Sequence, residues 1–318
     1  MTAVAGQGGA FVAPPFVSPR WLCGGHAQTL YAKALQPPLP AYRRELIADS
    51  YGEDLAAYDF VDAKQDDAPL VVLFHGLEGS SRSHYAAALM HAVAAHGWHG
   101  VVAHFRSCGG VRARRTYHSG DTREIAHMLA VLQHRYPRLY AVGVSLGGNA
   151  LAKYLGEQGE NAVPHAAAVV SAPLDLPNAA AALERGLSRL LYAPYFLHTL
   201  RRKVPQPPQR CRSLGEFDRA YTAPMHGFAD EQDYYARCAA KPYLPHIARP
   251  TLIVNAQNDP FLPAEFLPTA ADVSAQVHLL QPENGGHCGF VSGEGRGHLR
   301  WLPETVLRFF EAARASAV

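Results

Sequence analysis

The chain has 318 residues, 48% hydrophobic and 18% charged, with a formal net charge of +2 when histidine is neutral. That is an ordinary globular composition with enough apolar residues for a sizeable core, and it offers no electrostatic case for nucleic acid as a partner. Five scattered cysteines (Cys23, Cys108, Cys211, Cys238, Cys288) lack C-x-x-C spacing, which argues against a disulfide framework or a zinc knuckle and suits a reducing cytoplasm.

Residues 1–20 are rich in Gly, Ala and Pro and read as a flexible N-terminal segment without the basic region of a secretory leader. Residues 21–318 read as one α/β domain. Residues 21–35 contain the unusual string Gly24-Gly25-His26-Ala27-Gln28-Thr29-Leu30. Residues 43–49 and 55–61 read as two strands of a hairpin. The apolar run 70–74 is too short for a helix and leads into the loop His75-Gly76-Leu77-Glu78-Gly79. A helix over 85–95, a strand over 100–105 and a polar Gly- and Arg-rich loop over 106–120 follow. Asp121 then caps a helix that carries Ile125, Leu129 and Leu132 on one face. Strands at 139–144 and 166–171 flank a further helix, for which Gly156 and Gly159 offer a stop.

Strand and helix thus alternate as in a mostly parallel sheet covered on both faces. The alternation breaks over about 174–247, where helical patches, a stripe of Leu183, Leu187, Leu190 and Leu191, and prolines at 194, 205, 207 and 208 replace it. This segment reads as a helical cap inserted at the carboxyl edge of the sheet, where open α/β folds bind ligands. Strands at 251–255 and 276–280 and an amphipathic helix over 302–313 close the chain. No apolar run reaches the ~18 residues of a membrane-spanning helix.

Chemistry enters at Gly143-Val144-Ser145-Leu146-Gly147. G-x-S-x-G alone is common, but here a buried strand precedes it and a helix follows. That context places Ser145 on a sharp strand-to-helix turn with its hydroxyl clear of the sheet. A serine hydroxyl is a poor nucleophile until a base takes its proton, and the base needs an orienting carboxylate. Asp259 follows the strand 251–255 in a turn before Pro260. An Asx turn is its other use, and Asp175 is the substitute acid. The base is assigned to His287, in the Gly-rich loop after the last strand, over His278 and His298. The tetrahedral intermediate needs N–H donors, assigned to the backbone of Leu146 and Leu77. His75 reads as a structural tie for its loop. Arg106, His118 and Asp121 read as a structural polar cluster, and His26 and Gln28 as either a pocket border or a fold-back against the sheet.

Gly24 to Leu30, His75 to Gly79, His104-Phe105-Arg106, Tyr117 to Gly120, Gly143 to Asn149 and Ser171-Ala172-Pro173 together resemble the YheT-like branch of the α/β-hydrolase superfamily. The resemblance covers about residues 20–310. It implies an α/β-hydrolase fold and carboxylic-ester hydrolysis, with relatives acting on acyl esters, acylglycerols or phospholipids and some passing the acyl group to an alcohol. By position it places the triad on Ser145, Asp259 and His287. Eukaryotic relatives carry an N-terminal membrane anchor, and its lack here points away from bilayer substrates.

The expectation is therefore a cytoplasmic serine esterase acting through an acyl-enzyme on short- to medium-chain acyl esters. Acyl transfer to an alcohol and a non-catalytic lipid-binding module are the alternatives. No cofactor or metal is implied. Arg112, Arg114, Arg115, Arg201, Arg202 and Lys203 read as a solvated basic face rather than a peripheral membrane contact.

Overall fold

Short β-branched runs that are apolar at every position need cover on both faces, and the sheet meets that need. The structure is a computed structural model that describes residues 11–204 and 211–316. In chain order it runs α1 (Gly25–Ala34), β1 (Arg43–Ala48), β2 (Leu55–Val61), β3 (Leu70–Phe74), α2 (His84–Ala95), β4 (His99–Ala103), α3 (Thr122–Gln133), β5 (Leu139–Val144), α4 (Leu146–Gln158) and β6 (Ala166–Val170). Six helices follow: α5 (Leu176–Leu183), α6 (Gly186–Leu191), α7 (Ala193–Arg201), α8 (Leu214–Phe217), α9 (Ala223–His226) and α10 (Glu231–Cys238). β7 (Thr251–Val254), β8 (Val277–Leu280) and α11 (Trp301–Ala315) complete the chain.

The eight strands form one sheet in the order β1-β2-β4-β3-β5-β6-β7-β8. The first two strands are antiparallel to their neighbours and β3 to β8 run parallel. Alternate residues of β3 feed opposite cores. Val72 and Phe74 pack with Ile125 and Leu129 of α3 and Leu151 of α4. Val71 and Leu73 pack with Met90 of α2 and Val306 and Phe310 of α11. All the crossovers deliver their strands' carboxyl ends to one edge, where the loops after β3, β5, β7 and β8 meet.

The structure adds to the sequence reading at three places. The N-terminal segment packs from Phe11 onward: Phe11 meets Phe309 edge-on at 5.2 Å and Phe16 meets Trp301 at 4.8 Å. The Trp301 indole N–H also donates to the Pro14 carbonyl at 2.9 Å. Aromatic anchoring outweighs the local Gly/Pro content there, and residues 1–10 lie outside the described residues, as do Pro205, Pro207 and Pro208. Residues 25–34 form a helix that carries no clear apolar period. Finally, of the two offered stops α4 passes the first, Gly156, where the Tyr243 backbone packs so closely that a Cβ would sit 2.2 Å from its carbonyl oxygen. The helix ends instead at Gly159, at φ 51°.

Candidate active site

Ser145 follows the last residue of β5 and precedes the first of α4. Its backbone is at φ 54° and ψ −121°, a region costly for a residue with a Cβ and common at functional turns. Close packing imposes it. A Cβ on Gly147 would lie 2.4 Å from the Phe74 carbonyl oxygen, and one on Gly143 would lie 2.5 Å from that of Gly147. Strand β5 and helix α4 can therefore meet at this angle only with glycine at both places.

The loops after β7 and β8 bring the other two groups to Ser145. His287 Nε2 lies 2.9 Å from Ser145 Oγ, and its Nδ1 lies 2.8 Å from Asp259 Oδ2. A carboxylate only accepts, so Nδ1 carries the hydrogen and Nε2 is free to accept from the serine hydroxyl. The second carboxylate oxygen accepts the Phe261 N–H at 2.8 Å, which fixes the plane of Asp259. Burial works to lower the His287 pKa. The Asp259 carboxylate opposes it and prevails, so the imidazolium is favoured relative to a free imidazole. The Phe261 ring stacks on His287, with centroids 4.0 Å apart.

The string from Gly24 to Leu30, of undecided role in the sequence, proves to be the buttress of these two loops. Gln28 is 1% exposed. Its Oε1 accepts the Gly285 N–H at 2.7 Å and the Asn258 side chain at 2.9 Å, while its Nε2 donates to the Leu22 carbonyl at 3.0 Å. Thr29 Oγ1 accepts the His287 N–H at 2.8 Å. Ser171, at φ 47°, accepts the Cys288 N–H through Oγ at 3.0 Å. His84 donates to the Cys288 carbonyl at 2.9 Å, and burial holds its pKa down at about 4. Sequence reasoning assigned none of these roles, although Gln28 and Ser171 lie in the strings that carried the resemblance.

Gly76 lies against Ser145: a Cβ there would be 2.9 Å from the serine Cβ. The Leu77 N–H that follows has no partner among the described residues. Leu146 is the first residue of α4, so its N–H is free by helix geometry. Both assigned donors thus sit beside Ser145. Behind them His75 is fully buried. It accepts the Phe105 N–H at Nε2 and donates from Nδ1 to the Gly76 carbonyl at 2.8 Å. Burial pushes its pKa down to about 3, so the ring is a neutral tie for the loop.

The competing residues lie elsewhere. Asp175 caps α5 through the Asn178 backbone N–H. His278 sits within β8 against Phe309, and His298 pairs with Ser292. His26 hydrogen-bonds the Tyr192 hydroxyl at 3.1 Å. Arg106 is fully buried between Asp121 and Glu124, an ion triad whose second carboxylate sequence reasoning did not name. Of the leucine stripe, Leu183 lines the cavity next to Ser145, whereas Leu187 and Leu190 are 58% and 71% exposed. The cationic residues do not form one face: Arg115 donates to the Met225 carbonyl, and Lys203 reaches Glu78 at 2.7 Å.

Two spaces open from Ser145 and His287. One is a cavity of about 120 Å³ under the helices of the β6–β7 connection, walled by Leu146, Leu176, Leu183, Phe196 and Phe217. The other is a wider cleft of about 470 Å³ between α1 and α7, lined by Leu30, Lys33, Glu78, Arg82 and Tyr195. Among the described residues no helix is long and apolar enough to cross a membrane.

Comparison with known proteins agrees with this architecture. The alpha/beta hydrolase fold family model matches residues 69–294. The Escherichia coli (strain K12) protein YheT, named as an esterase, is 37% identical over 93% of this chain and 94% of its own length. The monoacylglycerol lipase of Saccharomyces cerevisiae is 28% identical over 77% of this chain, which spans 60% of that protein. The solved structure of Est1E from Butyrivibrio proteoclasticus, with ferulic acid bound, superposes with a TM-score of 0.57 at 16% identity, covering 85% of this chain and 99% of that one. The chain belongs to the α/β-hydrolase fold family and, within it, to the esterase- and lipase-type YheT-like branch.

Proposed function

We propose that this protein is a serine carboxylic-ester hydrolase that works through an acyl-enzyme on short- to medium-chain acyl esters. The observation that carries the reading is the unbroken hydrogen-bonded chain Ser145–His287–Asp259 at the mouth of an apolar cavity. Ser145 Oγ attacks the ester carbonyl while His287 Nε2 takes its proton. The Leu77 and Leu146 N–H groups receive the oxyanion, each such donor being worth roughly 10²–10³ in rate. His287 returns the proton to the departing alcohol, then activates water to release the acid. Asp259 keeps the imidazole in the needed tautomer and stabilises its cation.

The two spaces suit the two halves of the ester. The acyl chain stays attached through the first half of the cycle and fits the enclosed apolar cavity. The alcohol must leave and water must enter, which the wider cleft serves. The names of the relatives, an esterase and a monoacylglycerol lipase, are consistent with acyl-ester substrates. All five cysteines are free thiols, which suits the cytoplasm.

Fluorophosphonate labelling with mass-spectrometric location of the adduct tests the reading. The adduct is expected on Ser145, and Ser145→Ala is expected to fold normally and lose nearly all turnover of p-nitrophenyl esters. Normal turnover by folded Ser145→Ala protein would overturn the assignment. Product analysis with added alcohol separates hydrolysis from acyl transfer.

A further inference from the structure

The apolar cavity has one feature that a plain alkyl pocket does not need. Helix α8 runs directly into a single π-helical turn, Asp218–Thr222, before α9 begins. Such turns are rare and concentrate at functional sites. This one draws Asp218 and Thr222 together, and Thr222 Oγ1 donates to Asp218 Oδ1 at 2.7 Å. Tyr235 OH donates to Asp218 Oδ2, also at 2.7 Å. All three residues line the same cavity as Ser145 and His287.

No cation balances this carboxylate among the described residues. Arg219, next in sequence, pairs with Glu231, and Lys203 pairs with Glu78. Glu184 accepts the Gly215 N–H at 2.8 Å. Burial pushes the Asp218 pKa up to about 6, against the two hydroxyl bonds and with help from Glu184 and Glu231. Asp218 is half-buried, and a carboxylate drawn partly out of water without a cation is costly. It has about four acceptor positions, of which its neighbours occupy two. The remaining capacity is left to a cavity whose leucine and phenylalanine walls also carry Thr116, His118, Ser119 and Tyr234, the last two bonded to each other.

We infer that the Asp218–Thr222–Tyr235 cluster is a subsite for a hydrogen-bond donor, so that the preferred esters carry an acyl chain ending in a hydroxyl or ammonium group. This rests on the reading that the acyl half of an ester occupies the cavity. The donor would take the open lone pairs of Asp218 while the methylene stem lies along Leu176, Leu183 and Phe196.

The test is a comparison of p-nitrophenyl esters matched in chain length and differing only at the far end: methyl, hydroxyl or ammonium. At the length that reaches the cluster, the wild-type protein is expected to favour a polar end by roughly ten- to hundred-fold in kcat/KM, the worth of one hydrogen bond to a charged group. Asp218→Leu is expected to reverse that order, and Asp218→Asn to fall between. Each ratio is internal to one protein, so a fraction of misfolded variant does not alter it. If Asp218→Leu fails to fold, Asp218→Asn carries the same comparison. Turnover of methyl-ended esters with no preference for a polar end at any length would overturn the subsite and leave the esterase reading standing. An unchanged ratio in the Asp218 variants would do the same. Failure of every ester to turn over would overturn both.

Discussion

Replacing Gln28 by leucine tests whether the N-terminal string positions the site. The side chain is buried and makes four hydrogen bonds, to Gly285, Asn258, Leu22 and Ser18. In Gln28→Leu the part-buried Asn258 and Ser18 side chains can turn to water, but the buried Gly285 N–H and Leu22 carbonyl cannot. Two orphaned backbone groups at about 1–3 kcal/mol each give a stability loss of roughly 2–6 kcal/mol. That is less than the upper part of the usual range of about 5–15 kcal/mol, so a weakened but folded protein is expected. Gly285 lies two residues before His287, so the loop that carries the ring loses one of its anchors. A displacement of about 1 Å from a near-attack geometry costs on the order of 10² in rate. Thermal melting and p-nitrophenyl ester kinetics, with active sites counted by fluorophosphonate, should show a lower Tm and a kcat reduced by about that factor with KM little changed. Gln28→Glu keeps the acceptor for Gly285 and Asn258 and should recover most of kcat while remaining less stable. Wild-type kcat per labelled site in Gln28→Leu would refute the positioning argument.

The His287 pKa is held above that of a free imidazole by Asp259, and the base must be neutral to accept the serine proton. kcat/KM should therefore rise with pH through a midpoint above about 6.5, and a midpoint at or below that value would contradict the pairing. Asp259→Asn removes the raising partner, so the midpoint should fall and kcat should drop by roughly 10³–10⁴. Arg106→Met leaves Asp121 and Glu124 facing each other without their cation, and denaturant titration should show a loss of about 3–5 kcal/mol. Gly156→Ala sets a methyl group against the Tyr243 carbonyl. The cost of overpacking, about 1–3 kcal/mol, should outweigh the gain in helix propensity and lower Tm, with activity retained at temperatures where the protein is folded.

The parallel strands were legible because each is a short apolar run between turn residues, and periodicity reports that directly. β5 spans the same residues in sequence and structure, Leu139–Val144. Helix α1 was not legible, since its sequence GHAQTLYAKA has no wide apolar stripe. It docks closely on the loop after β7, where a Cβ on Gly25 would lie 1.8 Å from the Asn258 carbonyl oxygen. The leucine stripe of α5 and α6 misled for the opposite reason. Leucine content suggested one buried face, yet the chain breaks at Gly186, at φ 51°, and the second helix turns its leucines outward. Local pattern cannot register a break that reorients the following helix.

The same distinction runs through the site. Ser145, Asp259 and His287 each sit in a turn after a strand, so each carries its own local signature and chain order alone relates them. Their supports carry no local signature, because they act across the chain. The Gln28–Gly285 bond spans 257 residues and the Thr29–His287 bond spans 258. A buried glutamine near the N-terminus has no reason to be there until the loops it holds are in place. The packed stretch from Phe11 to Trp21 follows the same logic, since it delivers Leu22, whose carbonyl completes the hydrogen bonding of Gln28. Removing the described residues before Leu22 should therefore disturb His287 as well as the hydrophobic contacts of Phe11 and Phe16. Local turns place the three groups of the proposed triad, and the N-terminal string bonds the loop that carries His287.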